Sequence, residues 1–166
     1  MLLADNYSKN LNEIEMLKNA VKLDRDPLVN SMSHFNEKLA ELDACRERMS
    51  SLSMEANWNR NQYEDVKESL QTEYEIKSGA LLLTDEISKL KSADLREAKV
   101  RGLLIDDYHK LKDAERNLRA AETYCKMVGS AEKMLSGKHD TLVEQIKQVD
   151  RMLHVDPNAK QYLRTK

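Results

Sequence analysis

Apolar residues along this chain recur at intervals of three, four and seven, the spacing of helices that bury a single stripe. Leu3, Tyr7, Leu11, Ile14 and Val21 form the first such stripe and predict a short N-terminal helix within residues 1–25. In the next segment, residues 26–78, Leu28, Phe35, Leu42, Met49, Ala56, Tyr63 and Leu70 stand seven apart, which predicts a coiled-coil helix. Its companion seam runs Met32, Leu39, Cys45, Leu52 and Val66. The spacing 39, 42, 45 drops one residue from the alternation, a stammer that overwinds a supercoil, and Asn59 is a polar seam position of the kind that fixes register. From Val100 the pattern visits Leu104, Asp107, Leu111, Ala114, Leu118, Ala121, Cys125, Val128, Glu132, Leu135, His139, Leu142, Ile146, Val149 and Leu153; thirteen of these sixteen positions are apolar.

Punctuation divides the chain at few places. Asp26-Pro27 reads as a helix start, with the carboxylate accepting free N–H groups and proline at the first turn. Lys77-Ser78-Gly79 reads as a weak interruption, and Thr84-Asp85-Glu86 as the cap of a third helix within a long heptad region, residues 79–155. Gly102, Gly129 and Ser136-Gly137 fall inside that register and are expected to be carried within the helix at roughly 1 kcal/mol per glycine. Unbroken from 84 to 154 at ~1.5 Å per residue, the helix would be about 105 Å long. Its stripe then needs cover from the second helix, from another copy, or both. Residues 156–166 carry Lys160, Arg164 and Lys166 after Pro157 and predict a basic tail.

Composition narrows the fold class. With 34% charged residues, four glycines, two prolines, one Phe, one Trp and six Tyr in 166 residues, the chain lacks the turns and the β-branched and aromatic content of a sheet protein. An all-α fold is expected, an elongated helical hairpin or coiled coil with long heptad helices, assembled as a homo-oligomer. The formal charge of −2 hides an asymmetry: residues 1–83 hold ten Lys/Arg and fifteen Asp/Glu, net −5, and residues 84–166 hold seventeen and fourteen, net +3. Cys45 and Cys125, each at an apolar helical position, read as reduced buried thiols. No apolar run approaches a membrane span and the Met1–Asn6 start lacks signal-peptide character, so a cytoplasmic protein without membrane contact is expected.

Enzyme and cofactor signatures are missing from the sequence: there is no phosphate loop, no GxSxG, no HExxH and no CxxC. We therefore expect no cofactor, no metal, no small-molecule substrate and no catalysis. Asp106 and His109 share a helical face as in half of a di-metal bundle, but no second copy of the motif exists. Asp107, Glu132 and His139 interrupt the apolar stripe and suggest register control. Met16, Met32, Met49, Met54, Met127, Met134 and Met152 read as adaptable packing residues. Arg46, Arg48, Trp58, Arg60, Tyr63 and Lys67 combine cations that could track phosphates with rings that could stack on bases, the combination used on single-stranded nucleic acid. They are interleaved with Glu47, Glu55, Glu64, Asp65 and Glu68, which equally describes an ordinary mixed-charge helix face.

The run Thr141-Leu142-Val143-Glu144-Gln145-Ile146-Lys147-Gln148-Val149-Asp150-Arg151-Met152, preceded on the same long helix by Ala121-Glu122-Thr123-Tyr124-Cys125, resembles the C-terminal end of phage UvsY-type recombination mediators. The resemblance covers residues 84–153. It implies a small helical oligomer that binds single-stranded DNA, displaces the protein coating it and helps load a recombinase. Leu142, Ile146 and Val149 would then belong to an oligomerising helix, with Leu118, Cys125, Val128 and Leu135 extending the interface along the stripe. Arg46, Arg48 and Arg60 would be counterparts of the family's basic, aromatic-flanked DNA segment. The family's paired tyrosines near a Gly-rich turn are absent, and the first half of this chain is acidic. A coiled-coil adaptor that works only through protein contacts is the alternative from a different class.

Overall fold

The computed structural model describes residues 2–23 and 32–155, and among these every regular element is helical. The helices are α1 (Leu2–Ala20), α2 (Met32–Leu82), α3 (Asp85–Ser88), α4 (Ala93–Leu103) and α5 (Ile105–Val155). The Asp26-Pro27 start, Leu28, the side chains of Leu3 and Tyr7, and the basic tail lie outside the described residues. No helix among those described is long and apolar enough to cross a membrane. The chain divides into two compact units, Met1–Glu55 with Lys126–Lys166, and Ala56–Cys125.

The first unit packs α1 beside the first part of α2 and the last part of α5. Its core is Ile14 and Val21, then Phe35, Leu42, Cys45, Met49 and Leu52, then Val128, Ala131, Leu135, Leu142 and Val149. The seven-residue recurrence from Phe35 is thus a buried face. At the stammer Leu39 is half-buried, Cys45 enters the core, and α2 continues without a break. α1 runs antiparallel to α2: Glu13 pairs with Arg48 at one end, and Lys38 Nζ donates to the Lys22 carbonyl (2.9 Å) at the other. Ala131 was not on the predicted stripe. It is buried because α5 here meets two neighbouring helices and needs a face wider than a two-position seam.

In the second unit α2 and α5 also run antiparallel, as the contacts Tyr74 to Tyr108 and Lys77 to Asp107 require. The core is Ala56, Ile87, Val100, Leu111, Ala114, Ala121 and Tyr124. Three expectations are corrected. Lys77-Ser78-Gly79 does not interrupt α2, which continues to Leu82. Nor is the third helix continuous from Thr84: α3 lasts four residues, and the Thr84 hydroxyl donates back to the Leu81 carbonyl (2.7 Å) without capping it. The true start is Ser92, whose hydroxyl oxygen accepts from the Leu95 N–H at 3.1 Å, with Asp94 in the first turn of α4. A second break falls at Leu104 (φ −109°, ψ 32°), where the Leu104 N–H to Val100 O bond closes α4 and the Tyr108 N–H to Leu104 O bond opens α5, both 2.9 Å. The third correction concerns the α2 seam, where Val66 is 51% exposed and the face toward α5 is Ala56, Arg60, Tyr63, Lys67, Leu70, Tyr74, Lys77 and Leu81.

Candidate functional site

That face of α2 determines what the second unit can present. Steps of four and three from Ala56 deliver Tyr74 and Lys77 to the start of α5, where Tyr74 and Tyr108 lie with ring centroids 6.2 Å apart. Lys77 Nζ bridges Glu73 (2.6 Å) on its own helix and Asp107 (2.9 Å) on α5, and Lys110 stands 3.7 Å from the second Asp107 oxygen. The Lys77 hydrogen bond holds the Asp107 carboxyl below its usual range, and the bonds to Glu73 and Asp107 push the Lys77 ammonium up. Asp107, expected as a register-setting seam residue, is therefore the acceptor of an interhelical ion pair.

Above this pair lies a cleft of about 290 Å³ lined by Tyr74, Ser78, Leu82, Glu97, Val100, Arg101 and Tyr108. The Arg101 guanidinium sits 5.1 Å from the Tyr108 ring centroid and the Lys112 ammonium 5.5 Å from it, both within cation–π range. Lys112 also donates to both oxygens of Glu115 (3.0 and 2.8 Å), which lowers that carboxyl. Arg101 makes no ion pair among the described residues, even though Glu97 is one turn away on the same helix. This group was not singled out from the sequence. Its signal was available as Arg101 and Lys112, respectively seven residues before and four after Tyr108.

The six residues expected to combine into a nucleic-acid contact are not brought onto one face. Arg46 and Arg48 belong to the first unit, and two residues apart on a helix they point in different directions. Arg48 grips Glu13 of α1 with Nε (2.6 Å) and Nη2 (3.0 Å), and its hydrogen bond is the main reason the Glu13 carboxyl is lowered. Arg46 lies 3.4 Å from Asp43 and lines a groove of about 340 Å³ with Asp43, Glu47, Ser50, Glu132, Leu135 and Ser136. In the second unit Trp58 is 63% exposed, whereas Arg60 and Lys67 occupy the face packed on α5. Arg60 is close enough to Cys125, and Lys67 to Glu115, to stabilise those groups' charged forms.

The predicted interface residues are similarly placed by intrachain packing. Val128, Leu135, Leu142 and Val149 are fully covered inside a single chain, and Leu118, Cys125 and Ile146 are half-buried. The stripe needs no second copy to cover those four residues. Of the methionines, Met49 is buried, but Met16, Met54, Met127, Met134 and Met152 are exposed and do not fill a core. Both cysteines are free. Burial pushes each thiol up, an effect partly offset by Lys138 at Cys45 and by Arg60 at Cys125. His139 Nε2 lies 3.5 Å from Asp43 on α2, and Glu132 makes no ion pair among the described residues. Asp106 and His109 are both exposed, and no group of three His, Cys, Asp or Glu among the described residues is arranged to hold a metal. No family model, no curated protein and no solved structure matches this chain.

Proposed function

We propose that this chain is a non-enzymatic helical accessory protein of the single-stranded-DNA-binding, recombination-mediator kind, and that its nucleic-acid contact is the Tyr74–Tyr108–Arg101 cleft of the second unit. The observation that supports this reading is the Tyr108 ring flanked by Arg101 and Lys112. An aromatic platform with adjacent cations suits a stacked base and its phosphate, and Arg101 has no competing carboxylate bound to it. Arg46 and Arg48, by contrast, already face carboxylates of their own chain. Arg101 and Tyr108, though not Tyr74, also fall within residues 84–153, the part of the chain that resembles UvsY-type mediators.

The experiment is fluorescence anisotropy of a labelled oligothymidylate across a salt series. Tyr108→Ala and Arg101→Ala are expected to weaken binding, and Arg101→Ala to lower the logarithmic salt slope by about 0.7, one lost phosphate contact on a single strand. Arg46→Ala serves as the surface control and leaves binding as in the wild type. Absence of binding by the wild type at low salt rejects this function.

The adaptor reading is favoured by a different observation: Leu82, Leu83, Leu95 and Leu103 in the second unit are exposed at or beside helix ends. Apolar exposure of this kind marks protein contacts rather than a polyanion site. Under that reading the Tyr108 and Arg101 variants have no effect on DNA because the wild type binds none.

A further inference from the structure

Glu97 and Arg101 stand four apart on α4, the spacing and order in which a carboxylate and a cation ordinarily pair across one helical turn. They do not pair. Arg101 reaches instead to the Tyr108 ring of α5, and Glu97 makes no hydrogen bond or ion pair among the described residues. Both line the cleft of about 290 Å³, together with Val100, Tyr108, and Tyr74 and Ser78 of α2. Ser78 adds a second acceptor, because its hydroxyl donates to the Glu75 carbonyl at 3.1 Å and leaves the oxygen lone pairs for a ligand. The cleft therefore offers two aromatic rings, two acceptors and one cation, and no ion pair joins its carboxylate to its guanidinium.

These groups discriminate among bases. A base rests against the rings and its phosphate meets Arg101, so the edge turned to Glu97 has to supply donors, since an ionised carboxylate only accepts. Guanine alone among the four DNA bases carries two adjacent donors on one edge, N1–H and the N2 amino group, and they match the two oxygens of a carboxylate. On the corresponding edge adenine and cytosine carry one amino group beside a bare ring nitrogen, and thymine one N–H between two carbonyls, so each turns a lone pair toward the acceptor. We infer that the cleft is selective for a guanine base of the single strand, and that Glu97 is the residue that reads it. The inference rests on the nucleic-acid reading of the same cleft and adds its base preference. Along α4, Glu97 and Arg101 are separated by about 6 Å at ~1.5 Å per residue, with Arg101 directed away toward Tyr108, so the base edge and the phosphate are held by different groups. A volume of about 290 Å³ is at the small end of ligand pockets, ~300–1,000 Å³, and suits one base with its sugar rather than a longer stretch of strand.

The test is fluorescence anisotropy of the full chain with three labelled strands: an oligothymidylate, the same strand with guanine at every third position, and that strand with hypoxanthine in place of guanine. The wild type is expected to bind the guanine strand about tenfold more tightly than the oligothymidylate, the size of one good two-bond base contact. Hypoxanthine keeps N1–H and lacks the N2 amino group, and is expected to forfeit most of that preference. Glu97→Gln, at an exposed position and checked for helicity by circular dichroism, is expected to bring the guanine-to-thymine ratio to about one and to make the exchange of guanine for hypoxanthine silent. Reading the ratio removes the general gain in affinity for any polyanion that follows from deleting a carboxylate. Free deoxyguanosine monophosphate, which lacks the neighbouring phosphates, is expected to compete only at concentrations at least about tenfold above the guanine strand. A wild type that binds the oligothymidylate and the guanine strand equally, or a Glu97→Gln protein that keeps the wild-type ratio, would overturn the inference and leave the DNA reading standing. Equal competition by the free nucleotide would overturn the assignment to a strand. A wild type that binds none of the strands at low salt rejects the DNA reading, and this inference with it.

Discussion

The Lys138 ammonium on α5 donates to the carbonyl oxygen of Lys18 at 2.6 Å, and to that of Val21 at 2.7 Å, closing the C-terminal end of α1 from the opposite end of the sequence. The last carbonyls of a helix have no intrahelical donor and carry the negative end of its dipole, so a lysine is well matched to them. Lys138 is half-buried, and it stands one heptad after Ala131, on the part of α5 that faces the N-terminal segment.

Removing that ammonium while keeping most of the chain length should therefore loosen α1. Lys138→Met is expected to lower stability by about 1 to 2 kcal/mol, the worth of charge-assisted bonds reduced for partial exposure. Urea unfolding followed by circular dichroism measures it. A variant as stable as the wild type would show that the two bonds contribute nothing net.

Acid should act on the same docking. Glu13 is held below its ordinary value of 4.5, first by the hydrogen bond from Arg48, and Asp107 and Glu115 are lowered by their lysines. A carboxyl that is more acidic when folded contributes stability that is complete above the ordinary carboxylate range and is lost as pH falls through the lowered value. Melting temperature should consequently fall as pH drops from neutral through that range. Glu13→Gln removes one of these groups, so its melting temperature should fall less steeply with acidification; identical slopes would contradict the role given to the Glu13–Arg48 pair.

Gly129 and Gly137 lie inside α5, and a Cβ at either would meet nothing within 4 Å. Gly129→Ala and Gly137→Ala are each expected to stabilise the chain by about 1 kcal/mol, through helix propensity and a less disordered unfolded state. Thermal melts of the single and double variants test both the size and the additivity of the effect.

Leu142→Asp separates two roles for the α5 stripe. Leu142 is 1% exposed within one chain, so a carboxylate there is buried against the chain's own core. The expected outcome is a loss of at least about 3 kcal/mol and of cooperative melting, because a cavity and an unpaired charge are introduced together. A fully helical variant of normal melting temperature and smaller assembly size would instead make Leu142 an interface residue between copies.

The interval of seven from Phe35 to Ala56 and the stripe from Leu111 to Val149 were legible because helical phase is a local property: a residue's direction follows from its distance along the same helix. The all-α class was legible for the same reason, together with the scarcity of turn residues. Two breaks were harder. Ser92 resembles many serines until its hydroxyl is seen to accept from Leu95, and the break at Leu104 comes two residues after Gly102, in a stretch where the apolar register runs on unbroken.

The sequence by itself determined that long amphipathic helices form and that each must cover a stripe. Only the tertiary structure decided what covers it, because a heptad specifies a face and says nothing of the neighbour. α1 and α2 lie against α5 in the first unit, so Val128, Leu135, Leu142 and Val149 are satisfied without another copy. In the second unit Ala56, Tyr63 and Leu70 stay on the face toward α5 but the companion seam falls one residue later than the apolar pattern indicated, which turns Arg60 and Lys67 inward and leaves Val66 outside. Tyr74 joins Tyr108 and Arg101 only because antiparallel helices bring Tyr74 and Tyr108 together from thirty-four positions apart, a juxtaposition that no interval along one helix encodes.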